Sequence, residues 1–160
     1  MSVSLPYETK IRAPIAEVWE FLINSENYPT LNPLCVENGP ATITPATGAE
    51  TPEKREWIAV EATTMLGGLY THKITLNIVS TLTEPGKLMV HDIDSSAGGI
   101  VVNVTYALSE EEQERGSMLT ILKDTITITA PWYLRGIAAS TAGVSQKTRS
   151  QRIKDALDEK

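Results

Sequence analysis

Four tight-turn signals divide the second half of the chain: "LGGL" at 66–69, "TEPGK" at 83–87, "SSAGG" at 95–99 and "SEEEQERG" at 109–116. Between them lie segments rich in β-branched and aromatic residues, at 54–66, 69–83, 87–95, 99–109 and 117–129, with a further one at 36–44. Such segments read as strands. Strands joined by turns this short must run antiparallel. A sheet that is apolar on one face has to bury that face against something. The last stretch, from "APWYL" at 130–134 to the end, supplies it. Leu134, Ile137, Ala138, Thr141, Val144, Thr148 and Leu157 approximate one face of a long helix, with Pro131 just before its start.

Ahead of the strands the period changes twice. In "VSLPYETKI", Val3, Leu5, Tyr7 and Ile11 share one face at period two, as in a half-buried strand. In "APIAEVWEFLIN", Ile15, Val18, Trp19 and Leu22 fall at i, i+3, i+4 and i+7, which marks a helix face. Pro14 suits the first turn, where its missing N–H is not needed. "SENYPTLNPLC" then predicts a second short helix broken at Pro33. The expected class is α+β: a helix-grip fold of about seven antiparallel strands around a long C-terminal helix, with two short helices after the first strand, in one domain spanning 1–160.

Composition narrows the function. The net charge is −6 and no Lys/Arg cluster is present, which argues against a nucleic-acid partner. The single Cys35 forms no internal disulfide, and one cysteine with two histidines gives poor material for a metal site. No apolar signal core and no run of about 18 apolar residues is present, so the expected protein is soluble and cytoplasmic, without a membrane span. No cofactor is expected, and the chain is expected to be a monomer or homodimer.

The element order, together with "IRAPIAEVWEFLINSENYPTLNPLC" at 11–35, resembles the START-like superfamily, also called the birch-pollen-allergen or polyketide-cyclase-like superfamily. The matching features are "APIAEVWEFL" after the first strand, then "NYP" and "NP"; Leu31 stands where members commonly carry an aromatic residue. The resemblance implies a curved sheet gripping the C-terminal helix, a deep ligand cavity between them, and short helices near one mouth, with Tyr28 and Leu31 at that cap. Members include lipid and sterol carriers, hormone receptors, polyketide aromatase/cyclases and chaperone activators, so the fold leaves the activity open.

The helix itself points to a hollow. Its stretch "GIAASTAGVS" at 136–145 is nearly all small residues, and Gly136 and Gly143 each disfavour a helix by roughly 1 kcal/mol relative to Ala. A helix that fills a core carries larger apolar residues. Small residues equally suit close helix–sheet packing.

Hairpin register estimates the inner face. A turn at Gly67-Gly68 sets Leu66 opposite Leu69, Thr63 opposite His72, Glu61 opposite Ile74 and Trp57 opposite Ile78. Tyr70, His72, Ile74, Leu76 and Ile78 then point inward, as do Arg55, Trp57, Ala59, Glu61, Thr63 and Met65. Carrying the row onward places Asp92, Val102, Tyr106 and Asp124 inward and His91 outward. Asp92 and Asp124 would then lie roughly 10 Å apart.

These residues fit proton transfer next to a carbonyl. An inward Glu61–His72 pair suits a base with its orienting carboxylate. Asp124 in apolar surroundings suits an acid. Tyr70 and Tyr106 can donate to an enolate oxygen, and Arg55 can anchor an anionic group. Asp92, Trp57, Tyr28, Leu31, Ile137 and Thr141 complete the expected lining. His72 and Asp124 also read as ordinary packed, hydrogen-bonded strand residues. The expected protein is a cofactor-independent cyclase, dehydratase or isomerase acting on a small hydrophobic or aromatic molecule; the alternative is a non-catalytic carrier or sensor of such a molecule or a lipid.

Overall fold

The structure, a computed structural model, describes residues 2–65, 68–96 and 98–158. Strand β1 (Ser2–Ile11) leads into helix α1 (Ile15–Ile23), a 3-10 turn (Ser25–Asn27) and helix α2 (Tyr28–Leu31). Strands β2 (Cys35–Asn38), β3 (Thr42–Thr44), β4 (Lys54–Met65), β5 (Tyr70–Glu84), β6 (Leu88–Ser95), β7 (Val101–Glu112) and β8 (Met118–Thr129) follow, and helix α3 (Arg135–Leu157) ends the chain. One antiparallel sheet of eight strands runs β1-β8-β7-β6-β5-β4-β2, with β3 also on β4. This is the expected α+β helix-grip architecture.

Local chemistry explains the elements. Pro6 lies in β1, an edge strand, where a missing N–H breaks no second ladder. Pro14 caps α1, its carbonyl accepting from Glu17 and Val18, and Val18, Trp19, Leu22 and Ile23 are buried. The expected single strand at 36–44 is two strands, split at Gly39-Pro40. Pro40 cannot donate to a ladder, and a Cβ on Gly39 would lie 3.0 Å from the Ile58 carbonyl oxygen. The acidic run expected as a hairpin tip is partly strand, since Glu110, Glu111 and Glu112 pair with Thr120, Leu119 and Met118.

The β4–β5 register is the expected one, with Thr63 opposite His72, Glu61 opposite Ile74 and Trp57 opposite Ile78. The Leu66–Leu69 pair, its turn at Gly67 and the inward Met65 side chain fall outside the described residues. The next hairpin corrects the expectation. Glu84 pairs with Leu88, but the ladder then shifts, so that Thr81 pairs with Val90 and Ile78 with Ile93. Every side chain of β6 therefore faces opposite to the expected direction. Met89, His91 and Ile93 are buried, and Asp92 points out, accepting a 2.7 Å hydrogen bond from Asn103.

Helix α3 also presents a different face. Ile137 and Val144 are exposed, while Gln146, Arg149, Ile153 and Leu157 are buried. At its C-terminal end, Ile153 and Leu157 fill the space over the sheet as a core helix does. Toward the N-terminal end the facing residues shrink to Ser145, Ala142 and Ala138, and the space stays open.

Candidate functional site

The open space is a cavity of about 430 Å³ between α3, α2 and the inner faces of β4 to β8. That volume is within the range that takes one small ligand. Most of its wall is aliphatic, from residues such as Ile74, Leu76, Val102, Val104, Ile126 and Ile128. Small residues on α3 do not serve close packing at its glycines: a Cβ on Gly136 or Gly143 would meet no atom within 4 Å.

Register orders the cavity from end to end. One end holds His72, Ile100, Leu134, Ile137 and Thr141. Ile137 is 68% exposed, so this is the outer end. The other end holds Tyr28, Leu31, Tyr106 and Arg149, all buried, and is closed.

The closed end is built by the segment "NYPTLNPLC". Helix α2 stops at Leu31, and Asn32 is extended (φ −123, ψ 99), as a residue before proline is biased to be. Asn32 Oδ1 accepts from the Leu34 amide. Its Nδ2 donates to Glu61 Oε1 on β4 and, at 3.2 Å, to the Tyr28 hydroxyl. Burial pushes the Glu61 carboxyl above its ordinary range, with the Asn32 bond pulling the other way. Burial likewise drives the Tyr28 phenol upward.

Opposite lies Arg149 of α3. Its Nε donates to the Leu31 carbonyl at 2.7 Å, and its Nη1 to Asp124 Oδ2 at 2.7 Å and to the Tyr106 hydroxyl at 3.3 Å. Asp124 is the cross-strand partner of Tyr106, which sets the carboxylate beside the phenol. Gln146 Nε2 adds a 3.5 Å contact to the other Asp124 oxygen. Burial raises the Asp124 carboxyl, and Arg149, its own backbone amide and Gln146 oppose that rise. Arg149 Nη2 makes no hydrogen bond among the described residues, and the guanidinium lines the cavity. Tyr106 accepts from Arg149, so its own proton remains available.

Behind this end lies an aromatic cluster around His91, which is 1% exposed. Its ring centroid is 5.0 Å from Tyr106 and 5.6 Å from Trp57. Both His91 nitrogens, Trp57 Nε1 and Ser80 Oγ have no hydrogen-bond partner among the described residues.

Of the expected site residues, Glu61, His72, Tyr28, Leu31, Tyr106, Ile137 and Thr141 line the cavity. Glu61 bonds Asn32 rather than His72, whose ring stacks on Tyr70 at 6.3 Å. Asp124 sits behind the guanidinium, not on the wall. Trp57 is buried behind Tyr28, and Tyr70 is mostly exposed. Arg55 lies too far along β4, under α1, bonded to Glu53 and to the Ile23 carbonyl. Arg149 and Asn32 were missed. Counting back in fours from Leu157 through Ile153 reaches Arg149, so helix periodicity carried that signal. Among the described residues, no group of three His, Cys, Asp or Glu side chains is placed to hold a metal ion. No described helix is long and apolar enough to cross a membrane.

Comparison with solved structures identifies the fold as START-like. No protein-family model matches the chain, and neither does any curated protein. The Zhui aromatase/cyclase from Streptomyces sp. R1128 superposes with TM-score 0.67 at 11% identity, over 99% of this chain and 94% of that one. A START superfamily protein from Mycobacterium smegmatis superposes with TM-score 0.65 at 8% identity, over 98% and 97%. The di-domain ARO/CYC StfQ of the steffimycin biosynthetic pathway gives TM-score 0.63 at 11% identity; the chain covers 52% of its length.

Proposed function

We propose that the protein binds a hydrophobic ketone-bearing molecule in this cavity and catalyses proton transfer next to its carbonyl, as a cyclase, dehydratase or isomerase does. One observation carries the proposal: Arg149 Nη2 and the Tyr106 hydroxyl both have protons to spare at the closed end of an otherwise aliphatic cavity. Two donors aimed at one oxygen stabilise the negative charge that develops there when an α-proton leaves. Glu61, desolvated and held by Asn32, is the base. The α C–H bond breaks, its proton goes to the Glu61 carboxylate, and the electron pair moves through the α-carbon onto the carbonyl oxygen. In a substrate with a second carbonyl, the enolate carbon attacks that carbon, a C–C bond forms, and Glu61 returns the proton to the new alkoxide. Asp124 is a positioning residue that fixes the guanidinium, and His72 contacts the outer part of the ligand. The aromatase/cyclase structures of the same fold support this class of chemistry.

Deuterium exchange tests it. In D2O, the protein is expected to speed exchange of the methyl protons of 2-acetylnaphthalene, followed by NMR. Glu61→Gln is expected to abolish that acceleration while the ketone still binds. Binding without any acceleration in the wild type would identify a carrier instead.

A further inference from the structure

The charges at the closed end select the ligand further, given that the cavity binds one. Arg149 is the only Lys or Arg among the described lining residues. Its charge is already matched by Asp124 at 2.7 Å, with both side chains buried. A second carboxyl, Glu61, lines the same cavity. An anionic group seated on Arg149 Nη2 would compete with Asp124 for one cation in a desolvated site whose wall already carries a second carboxyl, which is strongly unfavourable. A neutral oxygen meets no such opposition and uses the same free donors.

We infer that the cavity takes its ligand oxygen end first, that this end is a neutral carbonyl or phenol, and that carboxylates and phosphates are excluded from it. The inference rests on the ligand-binding reading of the cavity and not on the catalytic one. Any charged part of a natural substrate must therefore stay at the outer end, beside His72 and Ile137.

Two probes of nearly the same shape test this: 2-acetylnaphthalene, a neutral ketone, and 2-naphthoate, in which a carboxylate oxygen replaces the methyl group. Calorimetric titration at pH 8 is expected to show the ketone binding at least tenfold more tightly. An apolar cavity disfavours anions in any case, so the variants decide. Asp124→Asn releases the charge on Arg149, and Glu61→Gln removes the second carboxyl; each is expected to raise the affinity for 2-naphthoate relative to the ketone about tenfold, whatever the variant does to ketone binding itself. Equal wild-type affinities, or no relative gain for 2-naphthoate in either variant, would overturn the inference. Binding of neither probe would overturn it together with the ligand-binding reading. Ketone binding with the stated selectivity but without deuterium exchange would sink only the catalytic reading.

Discussion

Removing the buried histidine should change how stability depends on acid. The His91 ring sits between Tyr106, Trp57 and Tyr28, and the nearest cation is Arg149. Burial, reinforced by Arg149, lowers its pKa from an ordinary 6.5 to about 3. Above pH 6.5 the imidazole is neutral in both folded and unfolded chains and contributes no pH dependence. Between 6.5 and 3 the unfolded chain binds a proton that the folded one refuses, so stability falls as the pH drops. The slope is about 1.4 kcal/mol per pH unit, and the full loss, reached near pH 3, is about 5 kcal/mol. His91→Phe keeps a ring in the cluster and removes the titration. Urea unfolding of both proteins at pH 7, 6, 5 and 4 gives the difference in stability at each pH. Any constant offset from repacking cancels, because the quantity read is its change with pH. The wild type is expected to lose about 3 kcal/mol relative to the variant between pH 7 and 4. A flat difference over that range would refute the reasoning, since it would mean that the folded protein accepts a proton at His91 as readily as the unfolded chain does.

Two further outcomes follow from the helix and from the buried pair. Gly136→Ala and Gly143→Ala are each expected to raise stability by about 1 kcal/mol, or about 3 °C in calorimetric Tm, because the added methyl meets no neighbour; a loss from either would mean that this flank of α3 is packed. Arg149→Met is expected to cost at least about 3 kcal/mol in urea unfolding by stranding the Asp124 carboxylate, and the double variant Arg149→Met/Asp124→Leu to recover most of it. A single-variant cost below about 1 kcal/mol would show the pair to be solvated.

The fold was legible because turn chemistry and alternation agreed along most of the chain. The β4–β5 register followed from apolar residues at every second position of β5 and proved right across the described ladder. Asp92 and His91 were exchanged although turn counting carries the observed register: a two-residue turn at Pro85-Gly86 leads to Thr81 opposite Val90 and Ile78 opposite Ile93. Met89 and Ile93, which flank His91 at period two, held the same signal. Arg149 was hidden by its charge: a cation on a helix is ordinarily placed in solvent, and only its spacing from Ile153 and Leu157 shows otherwise. Asn32 depends on the backbone bend imposed by Pro33, a three-dimensional consequence that no side-chain pattern announces. Trp57 and Arg55 were placed on the right face of β4, but α1 and α2 cover that end of the strand.

The central arrangement is a pocket whose sealed end offers Arg149 and Tyr106 to a ligand oxygen. A crystal structure of the protein soaked with 2-acetylnaphthalene measures it directly. The predicted result places the naphthyl rings among the aliphatic residues and the carbonyl oxygen within hydrogen-bond distance of both the Tyr106 hydroxyl and Arg149 Nη2. Side chains filling that pocket, or the ketone held with its oxygen toward His72 and the outer end, would contradict the account.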